Sequence, residues 1–421
     1  MRDAGGDALG SGEGPLPSLG EHLPRIAQQF SDCGALGVIL LDAGSLSGVE
    51  HVYGAEAHRR VLSALGAVVG DLLVGKLSVE DLLVQGEMGR GEILVLMFRE
   101  PSELDFYKRE FEPLSAALMD GLEHRGSRVA YPYAKSLPPI HIGTAAALRN
   151  PLIGTDTQLR VAIDEAREHA SIQARMASRD RRRRLFELVI EGNIRSVYEP
   201  IVKVESRTVF GYEALARGPE GTELHSPARL FAMATEQDLL FQLDCLCRQS
   251  GLKGARDLPG GAKLFLNVRP TTIHDPNFRA EALEETLAHC KLCPSDVVFE
   301  ISEQESIGNF EIFREVRDYY GNLGFQIALD DTGTGYASLE AVMELAPDYI
   351  KVDRAFVSRV DEDPARQELL AALQRVAERI GADIIGEGLD TVGELTTLGE
   401  LGICYGQGWL FGKPHPLRSD L

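Results

Sequence analysis

The stretch QIALDDTGTGYASLEAVMELAPDYIK, Gln326–Lys351, sets the reading of this chain. It opens as an apolar strand that ends in paired carboxylates, Asp330 and Asp331, and passes through a glycine-rich turn. It then becomes helical from about Ala337 and closes on a short strand ending in Lys351. A strand, a helix and a second strand, each strand ending in charge, make one βα repeat and the start of the next. The pattern extends in both directions: KLFLN ends at Asn267, VVFE at Glu300 and DIIGE at Glu387. In a parallel barrel every βα connection restarts from the same side, so the C-terminal strand ends share one mouth. The spacing therefore predicts an α/β fold whose C-terminal part, from about Arg195 to Leu421, is a TIM-like (β/α)8 barrel with several carboxylates around a single opening.

Carboxylates so gathered repel one another and take up protons unless positive charge sits between them. Oxygen ligands from Asp, Glu and Asn suit hard ions such as Mg2+ or Mn2+. Adjacent Asp330 and Asp331 suggest a bridge between two ions about 3.5–4 Å apart, the spacing that supports hydrolysis of a phosphate ester. Taken singly, a strand-end carboxylate is as readily a helix N-cap, and DDTGTG a glycine-rich turn before the helix. It is the convergence of Asn, Glu, Asp, Lys and Glu from five strands that favours chemistry over capping.

Tyr212–Arg217, YEALAR, resembles the signature of the EAL-domain phosphodiesterases, which hydrolyse cyclic di-GMP to linear pGpG. The likeness covers roughly Leu185–Pro416 and includes YEPI (Tyr198–Ile201), FLNV (Phe265–Val268), FEISE (Phe299–Glu303), LDDTGTGYASL (Leu329–Leu339), IKVD (Ile350–Asp353), GEGLDT (Gly386–Thr391) and GQGWLFGKP (Gly406–Pro414). The resemblance implies that Glu213, Asn267, Glu300 and Asp330 hold one divalent cation and that Asp330 and Asp331 hold a second, with Glu387 near both. It implies that Lys351 orients or deprotonates the attacking water, its proton loosened by surrounding metals, or else forms a salt bridge to Asp353. Glu199, Arg217, Asp353 and Gln407 fall where substrate contacts are expected, and Glu303 where a residue steadies the loop after Asp331. Four positions depart from the family pattern: Glu199 for glutamine, Thr332 for phenylalanine, Arg269 for serine and Asp390 for glutamate. The main rival to an enzyme is a receptor that binds cyclic di-GMP without cleaving it and signals through a protein partner.

The segment from Ser31 to Met176 resembles a degenerate GGDEF domain, of α+β class. GALGVILLD (Gly34–Asp42) reads as a strand, Ala55–Leu73 as an amphipathic helix, GRGEILVLMF (Gly89–Phe98) as a turn into a strand, and Pro139–Ala147 as another strand. A helix is expected around Glu110–Glu123 and another from Leu159 onward. Asp42 fits one metal position, but Gly44 replaces the second acid and the signature loop reads GRGEI (Gly89–Ile93). The resemblance thus implies a regulatory or dimerisation module that makes no cyclic di-GMP, and a route to a protein partner or homodimer. The chain divides into a flexible tail over 1–30, this module over 31–176, a connecting helix over 177–194 and the barrel over 195–421.

Bulk composition sets outer limits. With 64 Asp and Glu against 43 Lys and Arg, a net charge of −21 repels a DNA or RNA polymer. The start of the chain lacks a secretory signal and no apolar run is long enough to span a membrane, which predicts a cytoplasmic protein. The six cysteines suit a reducing compartment. Cys245, Cys247, Cys290 and Cys293 could be drawn as a zinc site, but i and i+2 on a helix point apart, so free thiols are expected. The five arginines between Arg179 and Arg184 read as an anion site or, more plainly, as a solvated helix face.

Overall fold

The computed structural model describes residues 16–417 apart from 88, 104–105, 127–128, 135–136, 303–309 and 333–337. The chain folds as two compact units that divide between Asp180 and Arg181.

In the first unit β1 (Ala35–Asp42), β2 (Leu82–Gln85), β3 (Glu92–Arg99) and β4 (His141–Leu148) form an antiparallel sheet in the order β2-β3-β1-β4. β1 is buried at nearly every position, because both faces of the sheet are covered and no polar side is needed. One face packs on α3 (Ala55–Leu73) and α4 (Glu112–Arg125). The other packs on α1 (Leu19–Cys33) and the first turns of α5 (Thr155–Glu191). The expectation of a flexible tail through residue 30 is corrected here: Ser18 caps α1, and Leu19, Ile26 and Phe30 bury one side of it. The signal was the spacing of those three residues, with Pro24 tolerated in the first turns of the helix. The helix expected from Leu159 and the connecting helix are one continuous 37-residue element.

The second unit closes into an eight-stranded barrel in the order β10-β11-β12-β5-β6-β7-β8-β9. Its strands are β5 (Arg195–Lys203), β6 (Val209–Arg217), β7 (Lys263–Asn267), β8 (Val297–Ser302), β9 (Gln326–Thr332), β10 (Tyr349–Val352), β11 (Asp383–Gly386) and β12 (Tyr405–Gln407). β5 runs antiparallel to both neighbours, β12 and β6, so the barrel is not the all-parallel repeat expected from spacing. The short turn between Lys203 and Val209 leaves no room for a crossover helix and dictates a hairpin. As a result Glu199 reaches the interior from the middle of a strand rather than from a strand end.

Side chains alternate along a strand, and this period of two builds the barrel interior in layers. Ile201, Phe265, Val298, Ala328, Tyr349 and Ile385 form a buried floor, with Phe210 and Tyr405 packed against it. Phe210 lies 4.1 Å from Tyr405 and 5.9 Å from Tyr349 between ring centroids. Gly211 takes its place here because an added Cβ would fall 2.7 Å from the Lys263 carbonyl oxygen and about 3.1 Å from the Phe265 ring. Two residues from the floor, toward the mouth, come Glu199, Glu213, Asn267, Glu300, Asp330, Lys351, Glu387 and Gln407. One functional side chain thus comes from each of the eight strands or the residue just after it.

Candidate active site

Lys351 stands at the centre of this second layer and is fully buried. Its Nζ lies 2.8 Å from Glu300 Oε1, 2.8 Å from Glu387 Oε1, 3.1 Å from Glu213 Oε2 and 3.1 Å from Asp330 Oδ1. Asn267 Nδ2 donates to Glu213 Oε1 at 3.2 Å and to Glu300 Oε2 at 3.1 Å. Gln407 Nε2 donates to Glu213 Oε2 at 2.6 Å. The residues expected to hold the first cation are therefore gathered around Lys351: Glu213, Glu300 and Asp330 each meet its ammonium, and Asn267 bridges the first two.

Asp330 and Asp331 pose a geometric problem, since neighbours on a regular strand face opposite sides. The register solves it. Leu329 pairs with Ile350 and Thr332 with Val352, so Asp330 and Asp331 together oppose Lys351 alone, and Asp331 takes a left-handed φ of 56°. This β-bulge turns both carboxylates toward the mouth. Oxygens of Asp330, Asp331 and Glu387 all lie within 4.8 Å of one another.

Electrostatics show what the ring needs. Burial pushes the Asp331 carboxyl up to about 6, with Asp330 adding to the effect. Burial likewise pushes Glu387 up to about 8 against the pull of Lys351, aided by Asp330 and Glu213. Glu300 is raised well above the usual range by burial and by Glu213. Burial also works on Glu213, but Lys351 and hydrogen bonds from Gln407, Lys351 and Asn267 outweigh it and hold this carboxylate ionised. One ammonium does not neutralise six carboxylates. Among the protein's own groups, burial works to loosen the Lys351 proton, but Asp330, Glu213, Glu300 and Glu387 together hold it firmly. Glu300 Oε1 and Asp330 Oδ1 are buried without a hydrogen-bond donor of good geometry, although both face the ammonium. An all-oxygen donor set with orphaned buried oxygens fits hard divalent cations. Among the described residues no cluster containing His or Cys offers a competing site, and all six cysteines are free.

The remaining expected residues are distributed less simply. Glu199 pairs in register with Glu213, and Gln407 also donates to it. Its carboxyl is raised by burial first and by Glu213 second. Arg217 lies near both, half-buried, with its guanidinium donating to the Ala216 carbonyl at 2.9 Å. Asp353 does not pair with Lys351; its Oδ1 accepts from the Ala355 N–H at 2.7 Å and caps the short helix Arg354–Val357. Glu303 lies outside the described residues.

Beside the ring a cavity of about 210 Å³ is lined by Glu199, Glu387 and Gln407 on one side and Arg354, Asp390 and Trp409 on the other. Sequence reasoning missed Arg354 and Trp409. Arg354 Nη2 donates to Asp390 Oδ2 at 2.6 Å, and Gly388, with φ 71°, is where the arginine stem crosses the loop. The motif GEGLD carried this signal, because an added Cβ at its second glycine would sit 2.4 Å from Arg354 Cγ.

A closed barrel with a ring of carboxylates and amides around a buried lysine defines an α/β-barrel protein whose strand ends offer a donor set that suits divalent cations. The EAL domain family model matches residues 182–414, more than half of the chain, and the chain belongs to that family. It is 32% identical over 239 residues to the probable cyclic di-GMP phosphodiesterase PdeG of Escherichia coli (strain K12), covering 55% of this chain and 46% of that protein. It is 34% identical over 163 residues to the cyclic di-GMP phosphodiesterase PdeR of the same organism, covering 38% of this chain and 24% of that protein. The chain thus spans less than half the length of these relatives. Among solved structures, the EAL enzyme Bd1971 in its cAMP- and cyclic-di-GMP-bound form aligns with TM-score 0.52 and 20% identity over 66% of this chain and 80% of that one. The Xanthomonas citri FimX EAL domain in complex with c-diGMP aligns with TM-score 0.52 and 19% identity over 57% of this chain and 97% of that one. These likenesses establish the barrel fold. No helix among the described residues is long and apolar enough to cross a membrane.

Proposed function

We propose that this chain is a phosphodiesterase that hydrolyses cyclic di-GMP to linear pGpG with two divalent cations, Mg2+ or Mn2+. The observation that carries the reading is the bulge at Asp330 and Asp331, which brings both carboxylates beside Glu387 in a ring completed by Glu213, Asn267, Glu300 and Lys351. Glu213, Asn267, Glu300 and Asp330 would hold one cation, Asp330 and Asp331 the other. When bound, the cations supply positive charge to the phosphate oxygens and make water more acidic.

The protein's own residues account for the rest. A water oxygen attacks phosphorus, the bond from phosphorus to one ribose 3′ oxygen breaks, and that oxygen leaves with a proton. The proton lost by the water goes to the Glu387 carboxylate, the leaving 3′ oxygen takes its proton from the Lys351 ammonium, and Lys351 regains one from Glu387 across the 2.8 Å between Nζ and Oε1. Asn267 and Gln407 fix the Glu213 carboxylate from both sides. Arg217 would pair with a phosphate oxygen. Glu303 and Asp353 belong to this reading as loop and substrate-side residues.

The first unit we read as a GGDEF-like regulatory or dimerisation module that does not cyclise GTP. Asp42, which fits one metal position, accepts from the Gly44 N–H at 2.9 Å, as a turn former does.

One residue favours a second reading, a receptor that binds without cleavage: Glu199 adds negative charge where an anionic ligand would lie. Chromatography of the purified chain with cyclic di-GMP and Mg2+ or Mn2+, beside Glu213→Ala, separates the two. Linear product that vanishes in the variant supports the enzyme. Intact substrate in both, with binding retained, supports the receptor.

A further inference from the structure

The cavity beside the ring is lined by four carboxylates, Glu199, Glu213, Glu387 and Asp390, and among the described residues that line it Arg354 alone carries positive charge. Cyclic di-GMP has two phosphodiester groups, each with one negative charge. Cations at the ring would serve the ester that is cut, while the other ester still has to enter beside acid. An anion brought among carboxylates is repelled by each of them unless a cation meets it there. Arg217, assigned above to a phosphate oxygen, does not line this cavity.

Arg354 is placed and held for that task. It opens the short helix Arg354–Val357, and its stem lies against Gly388, the residue after Glu387, where a Cβ would collide with its methylenes. Its exposed guanidinium meets Asp390 through one hydrogen bond, from Nη2 to Oδ2 at 2.6 Å. A guanidinium has five N–H donors, so a single carboxylate oxygen leaves most of them for a ligand. Asp390 is fixed in turn. The N–H groups of Asp390 and Thr391 donate to Glu394 Oε2 at 2.9 and 3.0 Å, and the Arg359 N–H donates to Glu394 Oε1 at 2.8 Å. Glu394 is buried, so one carboxylate ties the loop that carries Glu387 and Asp390 to the turn just past the arginine's own helix. An exposed ion pair adds little to stability whether framed or not. A binding arginine does gain from the frame, because donors already held in place lose less freedom when the ligand arrives.

We propose, on the reading of the ring as a cyclic di-GMP site, that Arg354 is a substrate-binding residue for the second, uncleaved phosphodiester, and that Asp390 and Glu394 position it. The chemistry matches. A phosphodiester offers two equivalent non-bridging oxygens, which a planar fork of N–H donors can meet together. With cations on one ester and Arg354 on the other, the mouth distinguishes a ligand with two esters from one with a single phosphate.

Steady-state kinetics of the full chain with cyclic di-GMP and Mn2+ test this. Arg354→Ala should raise KM about tenfold, the scale of one charge-assisted contact, and change kcat by less than about twofold, because the contact is the same in the ground state and the transition state. Arg354→Lys keeps the charge without the fork and should recover part of the loss. Inorganic phosphate reaches the cations but is too small to span to Arg354, so it should inhibit the wild type and Arg354→Ala at the same concentration. An unchanged KM, a loss confined to kcat, or phosphate inhibition that weakens in step with KM would overturn the proposal. Where the wild type cleaves no cyclic di-GMP, isothermal titration with the same ligand and Mn2+ decides. A Kd about tenfold weaker in Arg354→Ala then keeps the arginine's role while the phosphodiesterase reading falls, and an equal Kd, or no binding by the wild type, overturns the role itself.

Discussion

Glu199 is the residue that most sets this mouth apart. It faces Glu213 across a strand pair and shares Gln407 with it, so an anionic ligand meets two carboxylates held by one amide. Replacing it with glutamine keeps the shape and removes the repulsion. Glu199→Gln is expected to lower KM for cyclic di-GMP by roughly two- to fivefold, the scale of a partly exposed charge pair, with kcat nearly unchanged. Steady-state kinetics of the two proteins decide it, and an unchanged or higher KM would mean that Glu199 does not face the ligand. The carboxylates around Lys351 carry a second prediction. Asp331 and Glu387 are raised to about 6 and about 8, above their values in an unfolded chain, and Glu300 is raised in the same sense. The folded state therefore holds more protons than the unfolded one from about pH 4 to 8, and stability falls as pH rises through that window. With chelator present, the melting temperature should drop by roughly 5 °C or more between pH 5 and pH 8. Mn2+ should raise it far more at pH 8 than at pH 5. A flat profile in a thermal shift assay would show that the ring does not carry this strain.

The strands translate a period of two into function, and this is where the sequence was most legible. Asn267, Glu300, Asp330, Lys351 and Glu387 stood out because each follows a short apolar run, and the structure brings all five into one layer. Four features stayed hidden. The bulge at Asp331 depends on a left-handed φ that an aspartate adopts without any marker such as glycine, so two adjacent acids gave no sign of how both could face inward. The reversal of β5 depends on a turn too short for a helix, and the repeated βα pattern masked it. In the first unit, α1 was missed because a polar, glycine-rich start hid the spacing of Leu19, Ile26 and Phe30. The floor beneath the ring was not foreseen either, since buried aromatics look alike wherever they pack. It has a measurable role: Phe265 is fully buried, touches Tyr349, and lies two residues below Asn267. Phe265→Ala should destabilise the barrel by about 3–5 kcal/mol. It should also lower activity by loosening Asn267 and Lys351, whereas Phe265→Leu should retain most of both. Denaturant unfolding alongside turnover tests this; loss of stability with full activity at low temperature would separate the floor from the site.

At the scale of the whole chain, the apolar residues gather into separate cores. Sheet and helices of the first unit hold two clusters, one on each face of β1–β4, while the barrel holds its own inside and outside its wall. Among the described residues, each buried cluster draws its members from one side of the division at Asp180 and Arg181. Units with separate cores unfold as separate cooperative transitions unless something else couples them. A ligand that binds one folded unit stabilises only that unit, by an amount that grows with its concentration over Kd. Calorimetry of the full chain should therefore resolve two transitions, and added Mg2+ or Mn2+ should move only one of them. Asp331→Asn together with Glu387→Gln should reduce that movement, since Glu213, Asn267, Glu300 and Asp330 remain to hold one cation, while leaving the other transition in place. In chelator the double variant should melt at or above the wild-type barrel at pH 8, because it removes two carboxylates that the ring holds ionised only at a cost. A single transition that the cation shifts as a whole would instead show that the two units unfold together, and would direct attention to α5, the helix they share.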